Sequence, residues 1–161
     1  MPDKHGYRER TWALMEERGA ARFPGTRGRI PNFIGAEAAA DRLAGLDEWR
    51  SANVLKSNPD SPQLPVRARA LAEGKLLFMA VPRLAERRPF IALDPSKLAV
   101  KQRAAASIRG AAKAGLPVGL DEMRRIDLVV CGTVSVNRKG ARIGKAEGSP
   151  TWRWPSWSRP A

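Results

Sequence analysis

Residues 140–148, GARIGKAEG, place Gly140, Gly144 and Gly148 at even spacing, with Arg142 and Lys145 between them. Glycine has no Cβ, so the backbone can turn sharply and bring its N–H groups against an anion. Arg142 and Lys145 add fixed positive charge, and the chemistry this stretch suggests is phosphate binding. It is not a Walker A loop. That motif needs G-x-x-x-x-G-K-[ST], whereas Gly140 to Gly144 is one residue short and Ala146 stands where the hydroxyl belongs. The same residues also suit a basic surface hairpin, and composition alone leaves both readings open.

Other candidates for chemistry are few. Lys56 and Asp60, in LKSNPDSPQ, follow an apolar run and can face a ligand from the end of a strand. Arg67, Lys75 and Arg83 are secondary candidates, since such positions more often serve salt bridges or the surface. His5, the single histidine, lies near the N-terminus and reads as surface. Cys131, the single cysteine, sits in an apolar run and reads as a small core residue. One cysteine excludes a disulfide framework and a cysteine-based zinc site, and it fits a reducing, cytoplasmic setting.

The elements that would position these residues alternate. Helical patterns cover 8–22, with Trp12, Leu14 and Met15 inward, and 35–52, with Ala39, Leu43, Leu46 and Trp49 on the apolar face. Residues 23–33 are loop by their Pro and Gly content. A short strand at 53–56 leads into a turn-rich segment, then a helix at 66–73 stopped by Gly74. Residues 75–82, KLLFMAVP, form a nearly continuous apolar run, the pattern of a strand covered on both faces. Residues 89–93 supply its neighbour, 97–115 are helical with an interruption near Gly110, and 125–136 read as a third buried strand. Strands alternating with helices predict an α/β domain with a mostly parallel sheet flanked by helices. In such sheets ligands bind beyond the carboxyl ends of the strands, which is where residues 137–148 fall.

The chain has 161 residues, 43% of them apolar and 28% charged, which suits one globular domain. No window approaches the roughly 18 apolar residues of a membrane span, and the charged start lacks a signal peptide's apolar run. The formal net charge of +13 is compatible with nucleic acid, an anionic membrane or a polyanionic small molecule. The basic residues are dispersed, and no aromatic RNA-binding signature appears before the last residues, so nucleic acid is the weaker partner class.

Several long phrases, IPNFIGAEAAADRL, VLKSNPDSPQLPVRARALAEGK, LFMAVPRL, IDLVVCGTVSVNRKG and GARIGKAEG, resemble the 5-formyltetrahydrofolate cyclo-ligase family, in its bacterial and archaeal branch of related proteins. The resemblance runs from Arg8 to Gly148. It implies an α/β fold of the NagB/RpiA/CoA-transferase-like kind, and the ATP- and Mg²⁺-dependent closure of 5-formyltetrahydrofolate to 5,10-methenyltetrahydrofolate in one-carbon metabolism. Such chemistry asks a protein to position two ligands and neutralise phosphate charge, and needs no nucleophilic side chain. The family's N-terminal Lys-x-x-x-Arg, which contacts nucleotide phosphates, is matched by Lys4 and Arg8, a spacing that shares one helix face. Its Arg-[Leu/Ile]-Gly-x-Gly-x-Gly loop is matched at Arg142, Ile143, Gly144 and Gly148, with Ala146 replacing the middle glycine. The resemblance thus implies Arg142 as catalytic, and Lys4, Arg8, Gly144, Lys145 and Gly148 as nucleotide-binding. Lys56 and Asp60 fall where substrate binds, although the glutamate that better-known members place there has no clear counterpart. No metal ligand is indicated.

Beyond Gly148 the family continues as Gly-Tyr-Ser-Asp-Leu-Glu into a helix, whereas this chain reads SPTWRWPSWSRPA. Pro150, Pro155 and Pro160 forbid a regular helix there. Removing one base from the tyrosine codon of the family text yields Gly-Ser-Pro-Thr-Trp-Arg, as found at 148–153. The expectation is a cyclo-ligase-like domain over 1–148, incomplete at its C-terminus and open to being inactive as truncated, with a frameshifted tail over 149–161. The alternative is a genuine tail, and a basic nucleic-acid-associated protein that uses its tryptophans and dispersed arginines.

Overall fold

A computed structural model of the chain describes residues 3–80 and 88–145. Gly148, Arg83 and the expected tail over 149–161 lie outside the described residues.

The chain opens with α1 (Lys4–Glu17), whose N-cap Asp3 accepts a hydrogen bond from the Gly6 N–H at 2.7 Å. This start is earlier than the apolar pattern suggests, because the cap rather than the periodicity sets it. Trp12 is buried as expected, but Leu14 points to solvent. The expected helix over 35–52 divides into α2 (Ala36–Ala44) and α3 (Asp47–Ser51). Ala36, Ala40 and Trp49 are buried, whereas Ala39 and Leu46 are exposed. Strand β1 (Val54–Ser57) leads through a single 3₁₀ turn (Ser61–Gln63) into α4 (Leu64–Ala72), which ends before Gly74 at φ 78°. Then come β2 (Leu76–Ala80) and β3 (Phe90–Leu93).

Residues 97–115 are not one helix. They hold α5 (Gln102–Ala105) and α6 (Ile108–Ala114), and the break falls at the Ser107 N-cap rather than at Gly110. Gly110 lies inside α6 because a Cβ there would sit 1.8 Å from the Ala104 carbonyl oxygen. The glycine marks where two short helices touch. Next come β4 (Leu116–Val118), which the sequence pattern does not reveal, and β5 (Leu128–Val130). The expected strand over 125–136 ends at Val130. Its distal part turns away and pairs as β6 (Ser135–Val136) with β7 (Arg142–Ile143).

The five-stranded sheet has the order β4-β3-β2-β1-β5. β1 pairs in parallel with both β2 and β5, while β3 is antiparallel to β2 and to β4. Four strands therefore share a direction and β3 alone opposes them, giving a mixed, mostly parallel α/β sheet. Alternation along the strands sorts the two faces. Leu55, Leu77, Met79, Ile91 and Leu93 join Trp49, Ala70, Leu71, Ala105 and Ala111 in the main core under the helices. Val54, Phe78 and Val118 form a smaller cluster with Met123 and Ile126 on the opposite face. β1 is the switch point. The chain leaves it through α4 to β2 on one side and returns to β5 on the other, opening a crevice at the carboxyl ends of β1 and β5.

Candidate functional site

Two segments leave this crevice, residues 58–63 from β1 and 131–134 from β5. The first is held from beneath by two buried side chains one helical turn apart. Gln63 Oε1 accepts from the Ser57 hydroxyl at 2.5 Å and the Asn58 N–H at 2.9 Å. The Arg67 guanidinium donates to the carbonyls of Asn58 and Asp60 at 2.5 and 3.1 Å, and to the Ala106 carbonyl at 2.8 Å. Arg67 is 2% exposed, and burial pulls its guanidinium down to about 10, so it stays charged at neutral pH. Lys75 is also buried and donates to the carbonyls of Trp49 and Ala52. Neither residue matches the expected salt-bridge or surface role. Both stitch backbone together, and Arg67 does so directly under the crevice.

Lys56 and Asp60 emerge on this brace. The Lys56 ammonium donates to Asn58 Oδ1 at 2.6 Å. Burial pushes it below the usual lysine range, with Arg142 adding to the effect and the charges of Cys131 and Asp60 opposing it. These four groups thus share one electrostatic environment. Asp60 faces Gly132 across the crevice, since a Cβ built on Gly132 would lie 2.5 Å from Asp60 Oδ2. Glycine at 132 is what lets the β5 exit come this close to the β1 turn. Cys131 is half-exposed at the mouth of the crevice, not buried in the core as its apolar neighbours suggest.

The glycine-rich stretch takes the hairpin form. Ser135 pairs with Ile143 and Val136 with Arg142. Asn137 Oδ1 accepts the N–H groups of Lys139 and Ala141, and Gly140 turns the tip at φ 81°. Of the two described glycines of this stretch, Gly140 is the one at positive φ. Around the Cβ position of Gly144 no described atom lies within 4 Å. Arg142 reaches back from β7 and donates to the Gly132 carbonyl at 3.1 Å, joining the hairpin to the crevice.

Helix α1 closes the group. Arg8 is 4% exposed, and its Nε donates to the Gly144 carbonyl at 2.7 Å, so the residue after β7 is tied to the helix. Lys4 lies one turn earlier and is exposed, as is Lys145. His5 is exposed as expected. Trp12 anchors α1 to the following loop, its indole N–H donating to the Arg29 carbonyl at 3.2 Å. Thr26 donates to Glu16 Oε1 at 2.5 Å from the same loop. That loop contributes Ile30, Pro31 and Phe33 to a cavity of about 320 Å³, completed by Met15, Pro62, Gln63 and residues 131–134.

Arg8, Arg142, Gly144, Lys56 and Asp60 are therefore brought to one end of the sheet, with Lys4 and Lys145 exposed beside them. Gln63, Asn58 and Gly132 were not legible as site residues. Gly132 carried a signal, a lone glycine inside an apolar run, whereas Gln63 carried none. Chemically, the hairpin side offers cations and open space for an anion. The β1 side offers an apolar slot with the Gln63 amide in its lining, suited to a planar polar group. Among the described residues no three His, Cys, Asp or Glu side chains converge to hold a metal.

The profile of the 5-formyltetrahydrofolate cyclo-ligase family matches residues 1–151. A methenyltetrahydrofolate synthase domain-containing protein of Mus musculus is 42% identical over 148 residues, covering 90% of this chain and 40% of the relative. Its counterparts in Bos taurus and Homo sapiens are 40% and 38% identical over the same length, covering 39% and 38% of those proteins. The chain thus spans about two fifths of the length of these relatives. No solved structure matches the chain.

Proposed function

This chain belongs to the 5-formyltetrahydrofolate cyclo-ligase family, and on that premise we propose that it acts in ATP-dependent closure of 5-formyltetrahydrofolate to 5,10-methenyltetrahydrofolate. The observation that carries the reading is the bond from buried Arg8 to the Gly144 carbonyl. It fixes the basic face of α1 against the glycine-bearing end of the β6–β7 hairpin, at the switch point where α/β sheets take ligands.

ATP fits the hairpin side of the site. Lys4, Arg8, Arg142 and Lys145 would neutralise its phosphates, Gly144 leaves room for close approach, and Gly148 continues the same loop in sequence. The nucleotide supplies the phosphoryl group that makes the formyl oxygen a leaving group. Arg142 would steady negative charge between the two ligands, a role supported by its bond from the hairpin to the Gly132 carbonyl in the crevice. Mg²⁺ is usually held by phosphates together with one or two carboxylates, and Asp60 is the carboxylate facing this crevice. On the β1 side, Lys56 and Asp60 would meet the reduced folate. The cytoplasm is the proposed setting, and no described helix is long and apolar enough to cross a membrane. No feature described above favours the nucleic-acid alternative.

The test is direct. With 5-formyltetrahydrofolate, ATP and Mg²⁺, the protein should develop the absorbance of the methenyl product. Arg8→Gln should weaken ATP binding by about tenfold or more, as expected for loss of a charged contact. Wild-type protein that neither turns over nor binds a reduced folate or ATP would refute the reading.

A further inference from the structure

Gln63 is 5% exposed, and its Nε2 is a buried side-chain donor with no hydrogen-bond partner among the described residues. The orientation of the amide is not arbitrary. The Asn58 backbone N–H can only donate, and it lies 2.9 Å from Oε1, so the oxygen must face that side. The Ser57 hydroxyl occupies the same oxygen. The NH₂ group is thereby turned the other way, toward the Gly132 side of the crevice. There Nε2 lies 3.3 Å from the point where a Gly132 Cβ would stand, with Asp60 Oδ2 2.5 Å and Ile30 Cγ1 3.0 Å from that point.

A buried amide donor left dry costs about 1–3 kcal/mol, and native proteins keep such groups where something completes them. The cavity beside it, about 320 Å³, has apolar walls from Met15, Ile30, Pro31 and Phe33. It sits at the small end of the roughly 300–1,000 Å³ range of ligand sites. Gln63, Cys131 and Thr133 are the residues with polar side chains in its lining, and Gln63 is the one whose amide donor lacks a partner among the described residues. An amide donor among apolar walls complements the ring carbonyl of a flat, oxo-substituted bicyclic heterocycle.

We infer that Gln63 is a specificity-determining residue, donating from Nε2 to the ring carbonyl of the substrate's heterocycle in this slot. The inference rests on the reduced-folate reading above and extends it to a residue outside the expected set. Gln63 makes no bond in the reaction. It selects a ring oxygen over a ring amine at that position.

The experiment measures binding of 5-formyltetrahydrofolate and of the matching reduced pteridine whose ring carbonyl is replaced by an amino group. Both are titrated into wild type and Gln63→Glu by calorimetry. Glutamate keeps an oxygen for the Asn58 N–H and the Ser57 hydroxyl but loses the donor. The expected result is a loss of about five- to a hundredfold for the oxo ligand, with the amino ligand held as well as before or better. Equal weakening of both ligands, or an unchanged oxo ligand, overturns the inference while leaving the reduced-folate reading intact. Wild type that binds neither ligand overturns both. A second measurement does not depend on the variant folding. In ¹⁵N-labelled wild type the Gln63 side-chain NH₂ signals should shift with the oxo ligand, and signals that stay in place at saturation overturn the inference equally.

Discussion

Replacing Arg67 with methionine should unfold this domain far more readily than any change to its exposed ion pairs. Methionine keeps the apolar stem and removes the guanidinium. The Ala106 carbonyl then loses its side-chain donor, bonded at 2.8 Å, while the Asn58 and Asp60 carbonyls lose bonds of 2.5 and 3.1 Å and keep only the Ser57 hydroxyl at 3.3 Å and the Gln63 N–H at 3.1 Å. The Pro59 carbonyl, at 3.5 Å from Nη2, sits at the edge of hydrogen-bond range and adds little. Each dry, unpaired carbonyl costs about 1–3 kcal/mol. The gain from no longer burying a cation offsets part of this, and water can reach the half-buried 58–60 turn. One carbonyl left dry and two bonded less well cost about 2–4 kcal/mol overall, a large share of the ~5–15 kcal/mol that holds a domain folded. At roughly 2–4 °C per kcal/mol for a chain of this size, the melting temperature should fall by about 10 °C. Thermal unfolding followed by far-UV circular dichroism measures the shift, and urea unfolding measures the free-energy loss. Lysine at 67 supplies a point charge in place of a planar fork and should recover only part of the loss. Because the same carbonyls shape the turn that carries Asp60, reduced-folate affinity should fall in both variants under conditions where they remain folded. A loss below about 1 kcal/mol for methionine, or lysine indistinguishable from wild type, would refute the bracing role.

Three further outcomes are expected. Gly132→Ala puts a methyl 2.5 Å from Asp60 Oδ2, so the carboxylate must swing away. Stability should drop by about 1–3 kcal/mol in a urea titration, and reduced-folate binding should weaken more than ATP binding. Lys75→Met leaves the Trp49 and Ala52 carbonyls unpaired and removes a cation 5.6 Å from the Trp49 ring centroid. About 2–4 kcal/mol should be lost in the same titration, with ligand affinities unchanged in the folded protein. Asp127 accepts the N–H groups of Asn53 and Val54 at the start of β1, and these bonds hold its carboxyl below the usual carboxylate range. A depressed folded-state pKa gives stability that is present above the unfolded value and disappears as pH falls through the folded one. The melting-temperature advantage of wild type over Asp127→Asn should therefore be full at neutral pH and shrink below about pH 4. An advantage that does not change with pH would contradict the assignment.

What the sequence revealed of the fold followed from how locally each signal is encoded. β2 and β3 were visible because continuous or alternating apolar runs reflect the covering of a strand's faces. α4 was visible because a glycine at positive φ stops it. The breaks that were misplaced depend on contacts distant in the chain or on caps. The division of 97–115 comes from the Ser107 hydroxyl capping Gly110, together with the close approach of two helices at that glycine. β4 was invisible because Leu116 and Pro117 are exposed and Val118 alone is buried, which leaves no periodicity to read.

The same distinction separates the residues that would meet ligand from those that hold them in place. Lys56, Asp60, Arg8 and Arg142 are charged groups near strand ends, glycines or a helix start, so their types announced them. Gln63 and Arg67 sit in SPQLPVRA, where a polar residue between prolines and an arginine among small apolar residues look like ordinary surface positions. Their burial arises only after the β1 turn folds back over α4 and the Ala106 carbonyl arrives from α5's end, 39 residues away in sequence. Apolar continuity misled in the opposite direction at the β5 exit. LVVCGTVSV reads as one strand, yet only Leu128–Val130 can pair with β1. Gly132 must leave the sheet to pass Asp60, and Arg142 then holds its carbonyl. The basic glycine stretch is a hairpin for that reason. It is the return limb of a strand that left the sheet to make the crevice, and its positive charge comes to the switch point because β5 ends early.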